Sequence, residues 1–498
     1  MDKEHKGLSA WQLTMMALGT VIGGSFFLGA AVAIHAAGPS ILISYILGGV
    51  LVYFILYALS EMTVANPDSG SFRTFAAQSF GPGAGFVVGW VYWTGMVLAM
   101  SSEATAVSIL VREFVPNVSI SLLGGSVIIG VTLLNLLGAD KLSKLESGLA
   151  AVKLIAIISF MIIAICLIVG LIPGTSAIGV GELSREPFIP GGIRSIAGSM
   201  LIVIFSYAGF EIIGLAASEA KNPKETIPKA INYTVVCLVG FYILSVFLLL
   251  PLIPTAMLSE EVSPMVAALN RWGMGWASTA INLVLITAIL STMLAAMFGL
   301  GRMIRSLTDE GHAPKWLKDT SDVPYKGILF SGFCMLVGLG TGLLFPRIYL
   351  FLLSSGGFAL LFTYAAIMAT HIRFRKRNGC PPEGKCQMPG YPYTSWIGLI
   401  SMIVVIFSMP FISGQSSGLI AGLIMVAVYS LIYMGFGLVK NPKRSNVVTS
   451  RTRNKIYKSR LSTEFSNELT PPANEEKKDC RSCSQNLKCN TSKKSMKK

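Results

Sequence analysis

Apolar residues in this chain run in long blocks separated by short polar or charged stretches. Blocks long enough to cross about 30 Å of hydrocarbon as helices fall at residues 10–36, 40–65, 83–111, 121–138, 148–173, 193–219, 229–253, 276–300, 327–345, 348–371, 394–413 and 417–438. The pattern predicts an all-α integral membrane protein with twelve transmembrane helices.

Two of the blocks carry glycine where a membrane helix should be smooth: residues 18–29 (LGTVIGGSFFLG) and 205–211 (FSYAGFE), the second ending on a carboxylate. Unwound backbone at membrane depth persists only where it is buried in protein or lines a cavity, because hydrocarbon offers no hydrogen-bond partner. Broken helices in matching places of two halves point to a secondary transporter. The first ten spans divide into two fives, 10–173 and 193–372, each opening on a broken helix. Residues 1–9 form a short N-terminal segment and 393–438 hold two further helices outside the repeat. Half-helix N-termini attract anionic groups and freed carbonyls attract cations, so a zwitterionic amino acid presents the charges that such a site wants.

Composition supports the membrane class: 53% of the 498 residues are hydrophobic, only 13% are charged, and the mean hydropathy is +0.64. The net charge of +15 does not call for nucleic acid. After Val439 there are 16 Lys and Arg against 5 Asp and Glu, which is +11 of that total. Segment 440–498 is too polar to bury a core of its own and is expected to be a disordered basic tail, suited to anionic lipid headgroups. Loops rich in Lys and Arg alternate with poorer ones, which puts both termini in the cytoplasm. The first apolar block is too long for a cleavable signal.

Cys166, Cys237 and Cys334 lie within spans and read as small packing residues, while Cys380 and Cys386 share a cytoplasmic loop where thiols stay reduced. Cys480, Cys483 and Cys489 lack a fourth ligand for zinc. His5, His35, His312 and His371 fall at span ends or in loops, without an evident cluster of cysteine or carboxylate. No phosphate loop is present, and neither an enzyme, a metal nor a cofactor is expected.

Residues 59–93 carry Pro67, Gly70-Ser71-Phe72, Gly81-Pro82, Gly85-Phe86, Gly89-Trp90 and Tyr92-Trp93. Ile22-Gly23-Gly24-Ser25-Phe26-Phe27, Gly209-Phe210-Glu211, Glu219-Ala220-Lys221-Asn222-Pro223, Ile227-Pro228-Lys229, Asp309-Glu310-Gly311-His312-Ala313-Pro314 and His371-Ile372-Arg373 follow the same order as motifs of one family. Over roughly residues 8–438 the chain resembles the amino acid transporter family of the amino acid/polyamine/organocation (APC) superfamily. The resemblance implies a leucine-transporter-like 5+5 inverted repeat with discontinuous helices 1 and 6, and import of an L-amino acid with a proton across the plasma membrane.

It also implies a site. In relatives the backbone at the first break holds the substrate carboxylate, which carries over to Val21, Gly23, Gly24 and Ser25. Here Ser25 stands where the family has its second glycine, and it either adds a hydroxyl donor or narrows the approach. The sixth-helix break, with Phe205, Tyr207 and Ala208, matches the carbonyls that hold the substrate ammonium, and Phe205 stands where relatives place a gating ring. Packing is the alternative for both segments. Lys153, deep in the fifth span, matches the lysine that replaces sodium in proton-coupled members; the alternative is a fixed structural charge. Glu211 either titrates during the cycle or satisfies unwound backbone. Glu103 faces the substrate path or pairs for stability, and Ser354 lies in a small polar patch, Ser354 to Gly357, read as pocket lining. Exchange of amino acids without net proton flow and amino acid sensing are the rival functions.

Overall fold

A computed structural model describes residues 9–65, 71–137, 139–173, 175–211, 213, 221–319, 321, 323–345, 347–379 and 388–439. Every regular element among them is helical. The chain enters α1 (Ala10–Val21) through a capping box, in which the Ser9 hydroxyl accepts from Gln12 N–H and the Gln12 side chain accepts from Ser9 N–H. At Ile22 the backbone becomes extended (φ −72°, ψ 104°). One π-helical turn (Ser25–Gly29) then leads into α2 (Ala30–Ala37), so the first span is broken where its glycines fall.

Long apolar helices follow: α3 (Ile41–Ala65), α5 (Pro82–Val111), α6 (Ile120–Asn135) and α7 (Ala139–Val169). Then come α8 (Gly192–Ser206), α9 (Pro223–Leu249), α11 (Gly275–Asp309), α12 (Tyr325–Gly342), α13 (Ile348–Asn378), α14 (Tyr393–Ser408) and α15 (Gln415–Val439). Among the described residues eight helical stretches are long and apolar enough to cross a membrane, and α6 and α8 are shorter apolar helices. Their outward residues are large and apolar, among them Leu122, Val236, Phe333 and Phe407. Such a surface suits lipid and not water.

Two short helices lie in stretches that the apolar blocks leave as loops: α4 (Ser71–Phe80) and α10 (Pro264–Arg271). Each buries one apolar face, Phe72, Phe75 and Ala76 in α4 and Met265, Val266 and Leu269 in α10. Helices α11 and α13 also run beyond their apolar blocks, to Asp309 and Asn378.

The core around the first span is built by α7, α9 and α11 packing on α1, and by α8 packing on the π-turn and α2. Helix α5 runs against α13 and α11, and its inner face carries Ser101, Ser102, Glu103 and Thr105, all buried. The motif residues Pro67, Gly70, Glu219 and Ala220, the thiols Cys380 and Cys386, and the tail with Cys480, Cys483 and Cys489 lie outside the described residues.

Candidate functional site at two helix breaks

Breaking a helix frees backbone donors and acceptors, and side chains from four other helices meet those of the first break and the turn beside it. Gly23 C=O accepts from Phe26 and Phe27 N–H, while the extended backbone at Ile22 turns the amides of Gly24 and Ser25 away from the preceding helical turn. Both donate to Glu103 of α5, Gly24 N to Oε2 at 2.8 Å and Ser25 N to Oε1 at 3.2 Å. The Lys153 ammonium from α7 donates to Gly19 C=O at 2.6 Å and to Thr292 Oγ1 of α11 at 2.9 Å. Thr292 Oγ1 lies 3.1 Å from Ile22 C=O, and the Tyr349 hydroxyl of α13 lies 3.4 Å from Gly24 C=O. Thr20 Oγ1 lies 3.2 Å from Gly209 C=O, joining the first break to the second.

The second break starts where α8 ends at Ser206. Tyr207 and Ala208 N–H bond back to Ile204 and Phe205 C=O in a tight turn. Gly209 then takes φ +107°, a conformation that only glycine adopts readily. A Cβ there would also press on the Thr20 carbonyl. Gly209 N–H donates to Glu211 Oε2 at 2.7 Å, and the Tyr364 hydroxyl donates to Oε1 at 3.2 Å. Tyr242 donates to Ser206 C=O at 2.9 Å. Glu211 thus accepts from both unwound backbone and a neighbouring phenol.

Aromatic rings close the space beside these breaks. Phe26 stacks on Tyr242 with centroids 3.9 Å apart and planes 7° apart, Tyr45 packs edge-on to both, and Tyr207 lies tilted against Tyr242. A cavity beside the first break is lined by Phe26, Phe27, Ala30, Ile34, Val246 and Met265.

The structure therefore brings Val21, Gly23, Gly24, Ser25, Glu103 and Lys153 together at one break, and Phe205, Tyr207, Ala208 and Glu211 at the other. Ser25 engages Glu103 through its amide. The Tyr207 side chain turns away to donate to Tyr45 C=O at 3.1 Å, and Phe205 is buried in α8. Ser354 is placed elsewhere: it packs on Gly418 of α15, where no Cβ would fit, and bonds within its own helix. A small polar patch reads the same from either side of a helix, and here its Ser354 edge faces the last helix.

Thr292, Tyr242, Tyr349 and Tyr364 were not legible as site residues. Each is a hydroxyl in an apolar helix, and only its facing shows which carbonyl or carboxylate it meets. A second correction concerns His371. It is fully buried and its Nε2 lies 3.4 Å from Glu61, whose Oε1 also pairs with Arg375 Nε at 2.7 Å and whose Oε2 accepts from Met388 N–H. His312 Nδ1 similarly lies 3.6 Å from Glu310. Glu61 comes from α3, far along the chain from His371, so a linear reading did not join them, whereas Glu310 stands two residues from His312. Among the described residues no group of three or more His, Cys, Asp or Glu is placed to hold a metal ion.

The family model for amino acid permeases matches residues 12–447. The gamma-aminobutyric acid permease of Bacillus subtilis (strain 168) is 31% identical over 433 residues, 85% of this chain and 92% of that one. The probable threonine/serine transporter YbxG of the same organism is 32% identical over 452 residues, 88% and 96% of the two chains. The gamma-aminobutyric acid permease of Escherichia coli (strain K12) is 32% identical over 408 residues, 80% and 88%. A multi-pass helical chain with polar, hydrogen-bonded breaks in its apolar interior and this breadth of similarity belongs to the amino acid permease family of the APC superfamily, a family of transporters and not of enzymes.

Proposed function

We propose that this protein is a plasma-membrane importer that carries an L-amino acid or a related amino acid together with a proton by alternating access. In this reading twelve helices cross the membrane, ten of them form two inverted fives over 10–173 and 193–372, and both termini are cytoplasmic. The substrate carboxylate binds the amides of Gly24 and Ser25 beside Val21 and Gly23, and its ammonium binds the carbonyls of the second break near Phe205, Tyr207 and Ala208. Lys153 is the coupling residue, with Glu211 and Glu103 as further proton sites. The basic tail rests on anionic lipid.

The observation that carries the proposal is the Lys153 ammonium on the Gly19 carbonyl, 2.6 Å away and fully buried. A protein cation standing on the backbone of the first break leaves little place for a sodium ion, and an ionisable group inside a membrane protein is functional by default. The relatives named for 4-aminobutyrate and for threonine and serine support a small amino acid as substrate.

Uptake of the labelled common L-amino acids and 4-aminobutyrate into proteoliposomes, with and without an inward proton gradient, tests this reading. Gradient-driven accumulation that is lost in Lys153→Ala supports symport. Uptake that ignores the gradient and requires amino acid inside makes the protein an exchanger.

A further inference from the structure

The two amides to which the proposed function assigns the substrate carboxylate already hold a carboxylate. Glu103 accepts from Gly24 N–H and Ser25 N–H with one oxygen each, a two-point arrangement that an ionised carboxyl group fills with both oxygens accepting. The chain is built around this contact. A Cβ on Gly24 would run into the Glu103 carboxylate, which accounts for a glycine at a position where the family motif varies. Glu103 itself is 3% exposed. Two carboxylates cannot share two N–H donors, and crowding like charges favours protonation of one of them.

We propose that Glu103 is a tethered occupant of the substrate-carboxylate site, and that substrate displaces it as it takes up a proton. The inference rests on the transport reading and adds the step that joins ligand to proton. Glu103 gives up its two N–H contacts and gains one O–H bond to a proton from the aqueous side. The substrate carboxylate then accepts from the same two amides. When substrate leaves, the acid returns its proton to the side then open, and its carboxylate goes back to Gly24 and Ser25. The charge of the site changes by the one proton carried, since a zwitterion adds none.

The charged and titratable groups that face Glu103 are Lys153 from α7, Tyr242 from α9 and Tyr349 from α13. Lys153 is held by Gly19 and Thr292, Tyr242 bonds Ser206 C=O, and Tyr349 lies at Gly24 C=O. From α11 come Ile289, which packs at Gly24, and Thr292, neither of which titrates. Glu103 is therefore the group that an arriving carboxylate meets head-on.

Calorimetry on the purified full-length chain, in buffers of different ionisation enthalpy, counts protons taken up per ligand bound. The probes are the common L-amino acids and 4-aminobutyrate, followed by the amide of each one that binds. About one proton per ligand is expected near neutral pH for the native chain, by linkage between ligand and proton. None is expected for Glu103→Gln, which still binds, or for the amides, which bring no carboxylate. Glu103→Ala, which empties the slot, should bind at least about tenfold more tightly at neutral pH than the native chain, because its competitor is gone. Equal proton uptake by the native chain and Glu103→Gln, or equal uptake with acid and amide, overturns the proposal while leaving transport intact. Binding of no amino acid at all overturns the transport reading and this step with it.

Discussion

The ammonium of Lys153 lies 2.6 Å from the carbonyl oxygen of Gly19, one turn before the first span breaks. A hydrogen bond of this charged kind contributes roughly 1.5–3 kcal/mol, so losing it at a step that governs turnover should slow that step about 10- to 100-fold. Lys153→Ala is expected to show that loss in the initial rate of gradient-driven uptake. Lys153→Arg should not restore it, because a planar guanidinium cannot reproduce the point contact of an ammonium on Gly19 and Thr292.

Gly24→Ala should disable the site while sparing the fold. Its new methyl group falls on the Glu103 carboxylate, and displacing a positioned group by about 1 Å commonly costs around a hundredfold in rate. Uptake should fall by about that factor with normal amounts of protein in the membrane. Gly130→Ala, whose methyl would meet nothing within 4 Å, should leave uptake unchanged. Adding Glu103→Asp to Gly24→Ala shortens the carboxylate by one methylene and should recover part of the rate.

Arg73 of α4 is 1% exposed at its side chain, and donates to Glu310 at 2.7 Å and to Ser306 at 2.8 Å. Removing one partner of a buried pair costs about 3–5 kcal/mol. Glu310 keeps about a fifth of its surface, so Arg73→Ala should sit near the lower end, about 3 kcal/mol, read as a fall in the thermal midpoint of the purified protein. The double variant Arg73→Ala/Glu310→Ala should lose less than the two single losses combined.

Much of this was legible in the chain itself, for a physical reason. Lys153, Glu103 and Glu211 stand out because a charge in an apolar block is costly, and the breaks stand out because glycine in such a block weakens the helix. What stayed hidden was facing. Tyr242, Tyr349, Tyr364 and Thr292 look like ordinary membrane-helix residues until rotation about each helix axis points a hydroxyl at a freed carbonyl or at Glu211. Ser354 failed in the opposite sense, since its face of α13 meets α15. Helix α4 was missed because it is amphipathic and short, which an apolar-block reading assigns to a loop.

Tyr364 separates two contributions at the second break. Its ring stacks on Phe210 with centroids 5.1 Å apart, while its hydroxyl donates to Glu211. Tyr364→Phe keeps the ring and removes one donor from a buried carboxylate, which should lower stability by about 1–3 kcal/mol. Tyr364→Leu loses the aromatic contact as well and should lower it further, by about 0.5–1.5 kcal/mol more. Thermal unfolding of the two variants side by side reads the difference.

The partners that complete the first break come from far along the chain: Glu103 lies 79 residues from Gly24, Lys153 134 from Gly19, Thr292 270 from Ile22 and Tyr349 325 from Gly24. At the second break Glu211 is two residues from the amide it holds. A ribosome adding about 5–20 residues per second makes the first span roughly 16–65 s before Tyr349 exists. Until then the Gly24 carbonyl lacks the hydroxyl that meets it in the finished fold, and hydrocarbon offers no substitute. The broken span near the start of this sequence thus depends on the rest of the chain for its completion.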